Sequence, residues 1–283
     1  MPPSDLAPKA RLQGVAVFLS ASVPVPERAK EYRRIPEAPL RIEEAVVSIA
    51  RAIFIEGGTL VFGGHPSISP LVARVADHYY LPAPAEELEH KDLRESQLEW
   101  RNPSVVIYQS RAWEPLWAEA TKRLTGHPLV RVQWVEGEPG EKVDSKIKDR
   151  PQALASLRRM REAMIKETSP EAMIAVGGMR GVLDEAALFA ELRPGVPIFV
   201  LATTGGAAAL LAEDSSLSKV VRTVDAEAGA LVREFWKHQE SEQAERLSKS
   251  ESFAEEESRE FYIPYAFVAQ QIADVIAERL DRT

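Results

Sequence analysis

Cysteine is absent from the 283-residue chain. Its absence excludes disulfides and thiolate metal sites, and the composition suits a reducing, cytoplasmic setting. A net positive charge is missing as well, since 35 lysines and arginines against 43 aspartates and glutamates leave a formal charge of -8. Proteins that grip DNA or RNA through phosphates usually carry a net basic face, so a nucleic-acid partner is not expected, although a local basic pocket remains compatible. No apolar run approaches the length that spans a bilayer, and no basic start followed by a long apolar core marks a signal peptide, so no membrane partner is expected. Among the few histidines, His78, His90, His127 and His238 lack metal-ligand spacing and read as structural or surface residues; no metal site is expected. No internal repeat of solenoid or propeller period is visible.

What the chain does have is a set of glycine pairs, each directly after a short apolar run and directly before a helical pattern. They are Leu60-Val61-Phe62-Gly63-Gly64-His65-Pro66, Ile174-Ala175-Val176-Gly177-Gly178-Met179-Arg180-Gly181, and Thr203-Thr204-Gly205-Gly206 after Ile198-Phe199-Val200-Leu201. Each reads as strand, turn, helix. A glycine turn at such a junction lets backbone approach a ligand and aims the unsatisfied N–H groups of a helix N-terminus at an anion. Three in one domain suggest a pocket for a phosphorylated, nucleotide-like ligand.

The elements around these turns alternate. Strands are predicted over residues 15–19, 59–62, 104–108, 129–135, 172–176 and 197–201, with helices over 41–55, 67–79, 113–124, 150–168, 181–192 and 207–212. Residues 20–40 form a long Pro- and Arg-rich loop, and 86–101 a charged segment. This pattern predicts an α/β, Rossmann-like fold with a mostly parallel sheet and helices on both faces. From residue 226 the character changes: a helix, then an almost purely polar stretch over 239–258, then a helical stripe through Ala266, Ala269, Ile272, Ile276 and Leu280. The expected organisation is a ligand-binding domain over 1–225 and a C-terminal helical extension over 226–283, packed on the same domain.

In such sheets ligands bind beyond the carboxyl ends of the strands, at a switch in strand order. Small or polar residues follow almost every predicted strand: Ser20 and Ser22; Gly63, Gly64, His65 and Ser67; Gln109; Gly177, Gly178 and Gly181; Thr204, Gly205 and Gly206. These are the candidate ligand-binding residues. Taken singly, each also fits an ordinary turn or helix cap.

The order Val17-Phe18-Leu19-Ser20-Ala21-Ser22, then residues 60–70 with Gly63-Gly64-His65-Pro66, then Gly177-Gly178-Met179-Arg180-Gly181-Val182-Leu183-Asp184-Glu185, then Ala202-Thr203-Thr204-Gly205-Gly206 resembles the SLOG superfamily. That group includes the LOG cytokinin-activating phosphoribohydrolases, the DNA-processing protein DprA and the ligand-sensing domains of melastatin-type TRP channels. The likeness runs from Gln13 to Ala212 and is strongest to the stand-alone families of prokaryotic conflict systems. It implies a Rossmann-like fold, a nucleotide-derived ligand, a homodimer and a place in antiphage signalling. Gly177, Gly178, Gly181 and Glu185 fall on the second glycine motif of the LOG enzymes, whose glutamate contacts the ribose. This chain departs from that motif by one extra residue, Arg180, before the third glycine, and by Val182 where the motif has threonine. The LOG enzymes also use an arginine on an earlier helix, which sequence alone does not match to a position here.

Glu185 and Arg180 are the candidate catalytic residues. Glu185 either holds a ribose or stabilises its helix N-terminus. Arg180 either clamps a phosphate or pairs with Asp184 at helical spacing. Arg28, Tyr32, Arg33 and Arg34 of the first long loop either close over an anion or form a solvated face, and the tryptophans Trp100, Trp113, Trp117 and Trp134 point to core packing or an oligomer contact rather than base stacking. Three functional readings follow: a sensor that binds a nucleotide-derived ligand, an N-glycosidase acting on a nucleoside monophosphate or dinucleotide, and an interaction protein that recruits an effector protein through its charged C-terminal helices. No conventional cofactor is expected beyond the ligand itself.

Overall fold

The runs Met173–Gly177 and Ile198–Leu201 are buried along their whole length. Continuous burial of this kind belongs to parallel strands covered by helices on both faces. A computed structural model of the chain describes residues 10–24, 32, 38–80, 104–144, 146, 152–225 and 265–282. Among them seven strands form one parallel sheet: β1 (Ala16–Ser22), β2 (Thr59–Gly63), β3 (Val105–Ser110), β4 (Val130–Val135), β5 (Met173–Gly177), β6 (Ile198–Leu201) and β7 (Val221–Thr223). Their order across the sheet is β4-β3-β2-β1-β5-β6-β7.

The helices are α1 (Ala38–Ile55), α2 (Ser69–Tyr80), the short α3 (Glu119–Lys122), α4 (Leu154–Thr168), α5 (Arg180–Leu192), α6 (Gly206–Glu213) and α7 (Tyr265–Leu280). One face of the sheet packs against α1, α2 and α7 through side chains such as Ile42, Ile49, Val72, Val268 and Ile272. The other packs against α4, α5 and α6 through Met160, Met164, Val182, Phe189 and Ala207. Helix α1 shows how sequence sets this arrangement: Ile42, Val46, Ile49 and Ile53 repeat at three- and four-residue steps and are all buried. The helix ends where Gly57 takes φ +77° and the Gly58 N–H closes on the Ile53 carbonyl at 2.9 Å.

The α/β, Rossmann-like fold expected from the alternation is the fold observed, and all six predicted strands are present. Two local differences have physical causes. The helix predicted over 113–124 is instead a 3-10 turn (Arg111–Leu116) followed by α3, because Pro115 lies in the turn and Trp117 and Ala118 are extended. The edge strand β7 lies in a stretch the sequence pattern left unassigned. The helix and polar segment expected between residues 226 and 264, the segment 86–101 with His90 and Trp100, His238, and Arg28, Arg33 and Arg34 lie outside the described residues. Tyr32 is described and is buried. Among the described residues no helix is long and apolar enough to cross a membrane.

Helix α7 is tied to the start of the chain by charge as well as by packing. Arg11 bonds Glu56 through Nε at 3.0 Å and Asp274 of α7 through a terminal nitrogen at 2.7 Å. The hydrogen bonds from Arg11 hold the carboxyls of Glu56 and Asp274 below their ordinary values. A carboxylate depressed in the folded state contributes stability above its unfolded value and loses it as pH falls through the folded one. Stability is therefore expected to decline as pH drops below about 4. Replacing Arg11 with methionine should lower stability at pH 7 and flatten that acid slope, as measured by denaturant unfolding at a series of pH values.

Candidate functional site

From β1 the chain builds outward through β2, β3 and β4, then returns to place β5 on the other side of β1. The reversal opens a crevice beyond the carboxyl ends of β1 and β5. Register brings Ser20 opposite Ala175 and Ser22 opposite Gly177 at this point.

The turn leaving β5 is built from backbone. Gly177 and Gly178 take φ values of +55° and +81°, a left-handed pair that other residues rarely adopt. A side chain on Gly177 would collide with Ile42, and one on Gly178 with Val182. The Gly178 N–H donates to the Ser22 carbonyl at 2.8 Å, closing the turn onto β1. Helix α5 then starts with Met179 as its N-cap and with no side-chain cap for its first N–H groups. Such a terminus favours an anion. The turn leaving β6 is locked to this one: the Gly177 N–H donates to Thr204 Oγ1 at 2.7 Å, and the Ala207 N–H to the Gly178 carbonyl at 3.0 Å.

Beside these turns three elements contribute one polar cluster. Ser20 Oγ of β1 donates to Glu185 Oε2 at 2.5 Å, and Arg161 Nε of α4 donates to Glu185 Oε1 at 3.0 Å. Ser20 is buried, while the Arg161 and Glu185 side chains are 13% and 14% exposed. Gly181 explains how the guanidinium reaches its place, because a Cβ there would lie 3.2 Å from a terminal nitrogen of Arg161. The remaining terminal nitrogen approaches Asp184 at 3.7 Å. Arg180, by contrast, points outward with its side chain 79% exposed and donates from Nε to Asp184 at 2.8 Å. Asp184 thus joins the two arginines, and the one that touches Glu185 is Arg161. Sequence reasoning did not single out Arg161; its one signal was the family arginine on an earlier helix, and α4 offers Arg158, Arg159 and Arg161 as alternatives. Only the helix face separates them: Arg158 and Arg159 turn to Glu162 and Glu138 on the surface.

The remaining candidates form a second group at the ends of β2 and β3. Gly64 continues the β2–β3 pairing, its N–H donating to the Tyr108 carbonyl at 3.0 Å. A Cβ there would meet the Gln109 amide, which would have to swing aside to admit it. The Ser67 backbone N–H donates to His65 Nδ1 at 3.4 Å, so Nδ1 is also the acceptor for the Ser67 hydroxyl 2.9 Å away and the hydrogen of a neutral ring lies on Nε2. Burial lowers the His65 pKa, so the ring is neutral at pH 7 and offers a donor without a charge. A Cβ on Gly63 would lie 3.5 Å from Met160, the neighbour of Arg161 on α4, so that helix borders both groups.

Other single candidates take ordinary structural roles. His127 pairs with Asp77 at 2.8 Å. Trp117 packs edge-on against Trp134 with ring centroids 4.7 Å apart, and the Arg111 guanidinium lies 4.4 Å over the Trp134 ring. Among the described residues no cluster of His, Asp and Glu is arranged to hold a metal ion.

A family model described as the SLOG cluster3 family matches residues 92–235 of this chain. No curated protein sequence matches it. Among solved structures, the crystal structure of TM1055 is similar at 16% identity over 74% of this chain and 89% of that one, with a TM-score of 0.39.

Proposed function

The chain belongs to the SLOG cluster3 family, and on that premise we propose that it binds a nucleotide-derived ligand at the β1/β5 crevice and acts as a ligand sensor in a prokaryotic signalling or defence pathway. The observation that carries this reading is the Glu185 carboxylate, held by Ser20 and Arg161 directly beside the paired glycine turns. A fixed carboxylate accepts hydrogen bonds from vicinal hydroxyls such as those of a ribose. The uncapped start of α5 suits the attached phosphate, with Arg161 and Arg180 as nearby positive charges. Gly64, His65 Nε2 and Gln109 would border the distal part of the ligand.

A second reading, an N-glycosidase on a nucleoside monophosphate or dinucleotide, is favoured by the same Arg161–Glu185 contact. A carboxylate beside the ribose would stabilise the positive charge that develops on the sugar as the glycosidic bond breaks. Incubating the protein with AMP, NAD, ADP-ribose and cyclic nucleotides, followed by mass spectrometry of bound and free fractions, separates the two. The sensor predicts a nucleotide retained intact. Release of free base or nicotinamide, lost in Glu185→Ala, would replace it with the glycosidase.

A further inference from the structure

Asp225, two residues after β7, is completely buried. Both its oxygens are engaged: Oδ1 accepts from the Ala202 N–H at 3.0 Å, and Oδ2 from the Thr203 N–H at 2.7 Å and the Thr203 hydroxyl at 2.5 Å. With its single proton given to Asp225, the Thr203 hydroxyl accepts from the Tyr265 hydroxyl 3.1 Å away. Tyr265 is the first residue of α7 and is itself buried. On the other side of Thr203, Thr204 Oγ1 takes the Gly177 N–H at 2.7 Å and donates to the Leu201 carbonyl at 2.5 Å. Two sets of hydrogen bonds, joined by the main chain between Thr203 and Thr204, therefore connect the β5 turn to the N-terminus of α7.

The surroundings make this path stiff. Gly206 has no room to yield, since a Cβ there would stand 2.5 Å from the Gly178 carbonyl oxygen. Helix α1 presses Ile42 against Gly177 from the face on which α7 is also packed. In a close-packed interior a displacement of one turn cannot be absorbed locally and passes to its neighbours.

We propose that Asp225 is a positioning residue for the crevice, and that through Thr203 and Tyr265 it couples the Gly177–Gly178 turn to the docking of α7. Occupation of the turn then alters the hold on α7, and by reciprocity the state of α7 alters affinity at the turn. The inference rests on the proposed ligand site only in naming what the turn holds; the coupling is a property of the chain and is measurable without ligand.

The test is amide hydrogen exchange on the full chain in Thr204→Val, Tyr265→Phe and the double variant. Tyr265→Phe keeps the buried ring and removes only the hydroxyl. It is expected to speed exchange not only in the first turns of α7 but also at Gly177, by about fivefold, the scale of one ordinary hydrogen bond. Thr204→Val should speed exchange at residues 269–273 of α7, and the double variant should add little to the larger single effect there. Asp225→Asn sets an amide NH2 against the backbone N–H of Ala202 or Thr203, donor facing donor in a buried site, and should speed exchange at Gly177 and in α7 at least as much as Tyr265→Phe. Changes confined to each variant's own element, with strictly additive effects in the double variant, would overturn the coupling. Failure of every nucleotide to bind would count against the sensor reading while these exchange results still decide the coupling.

Discussion

Glu185→Ala is expected to weaken nucleotide binding by about 10- to 100-fold, the range for losing a hydrogen bond to a charged group. The same change leaves the buried Ser20 hydroxyl without its acceptor and strips Arg161 of its closest carboxylate, with Asp184 at 3.7 Å as the remaining one. An orphaned buried donor costs about 1–3 kcal/mol, so this variant should be less stable as well as weaker in binding. Glu185→Gln separates the two effects. Its amide keeps the shape, with the oxygen accepting from Arg161 and the NH2 donating to the Ser20 hydroxyl oxygen, so part of the stability should return, while the charge that accepts ribose hydroxyls does not. Calorimetric titration alongside denaturant unfolding reads both quantities. Wild-type affinity in Glu185→Gln with loss only in Glu185→Ala would mean that the carboxylate acts through packing.

Gly206→Ala should produce the largest loss of stability among single glycine replacements. The residue has φ +59°, and a Cβ would stand 2.5 Å from the Gly178 carbonyl oxygen and 3.0 Å from the Gly177 carbonyl carbon. Those atoms are backbone, held in turn by Ala207 and Thr204, and cannot swing aside as a flexible side chain would. Left-handed backbone costs a non-glycine residue about 1–2 kcal/mol, and overpacking about 1–3 kcal/mol more. The sum, about 2–5 kcal/mol, corresponds to a fall in Tm of roughly 4–20 °C for a domain of this size. Gly126 and Gly195 serve as controls, since both have positive φ and a Cβ on either would meet nothing within 4 Å. Their alanine variants should show the backbone cost alone. Equal losses at all three positions would show that the two turns are not locked together.

Much of the fold was legible in the sequence because its central strands are continuous apolar runs that end in glycine or lead into a glycine turn. Met173–Gly177 and Ile198–Leu201 announce both their burial and their termini, and the helix stripes of α1 and α7 repeat at the expected step. Strand β7 was not legible: it is three residues long, only partly buried, and held by pairing with β6 rather than by its own pattern. In the site, glycine and Glu185 positions could be read because a motif of fixed spacing places them within one turn and helix. Arg161 could not, since it reaches Glu185 across 24 residues through the packing of α4 on α5. Asp225 is hidden for the same reason. Its partners at 202 and 203 lie one strand away, and an isolated aspartate after a short edge strand carries no local signal.

A nucleotide-derived ligand is expected at the β1/β5 crevice, against Glu185. Hydrogen exchange of the wild-type chain, with and without each of AMP, NAD, ADP-ribose and a cyclic nucleotide, tests it most directly. At least one nucleotide is expected to slow exchange at residues 20–22 and 177–183, with β4 unchanged and the effect absent in Glu185→Ala. Protection confined to another part of the sheet, or none with any of these nucleotides at millimolar concentration, would contradict it.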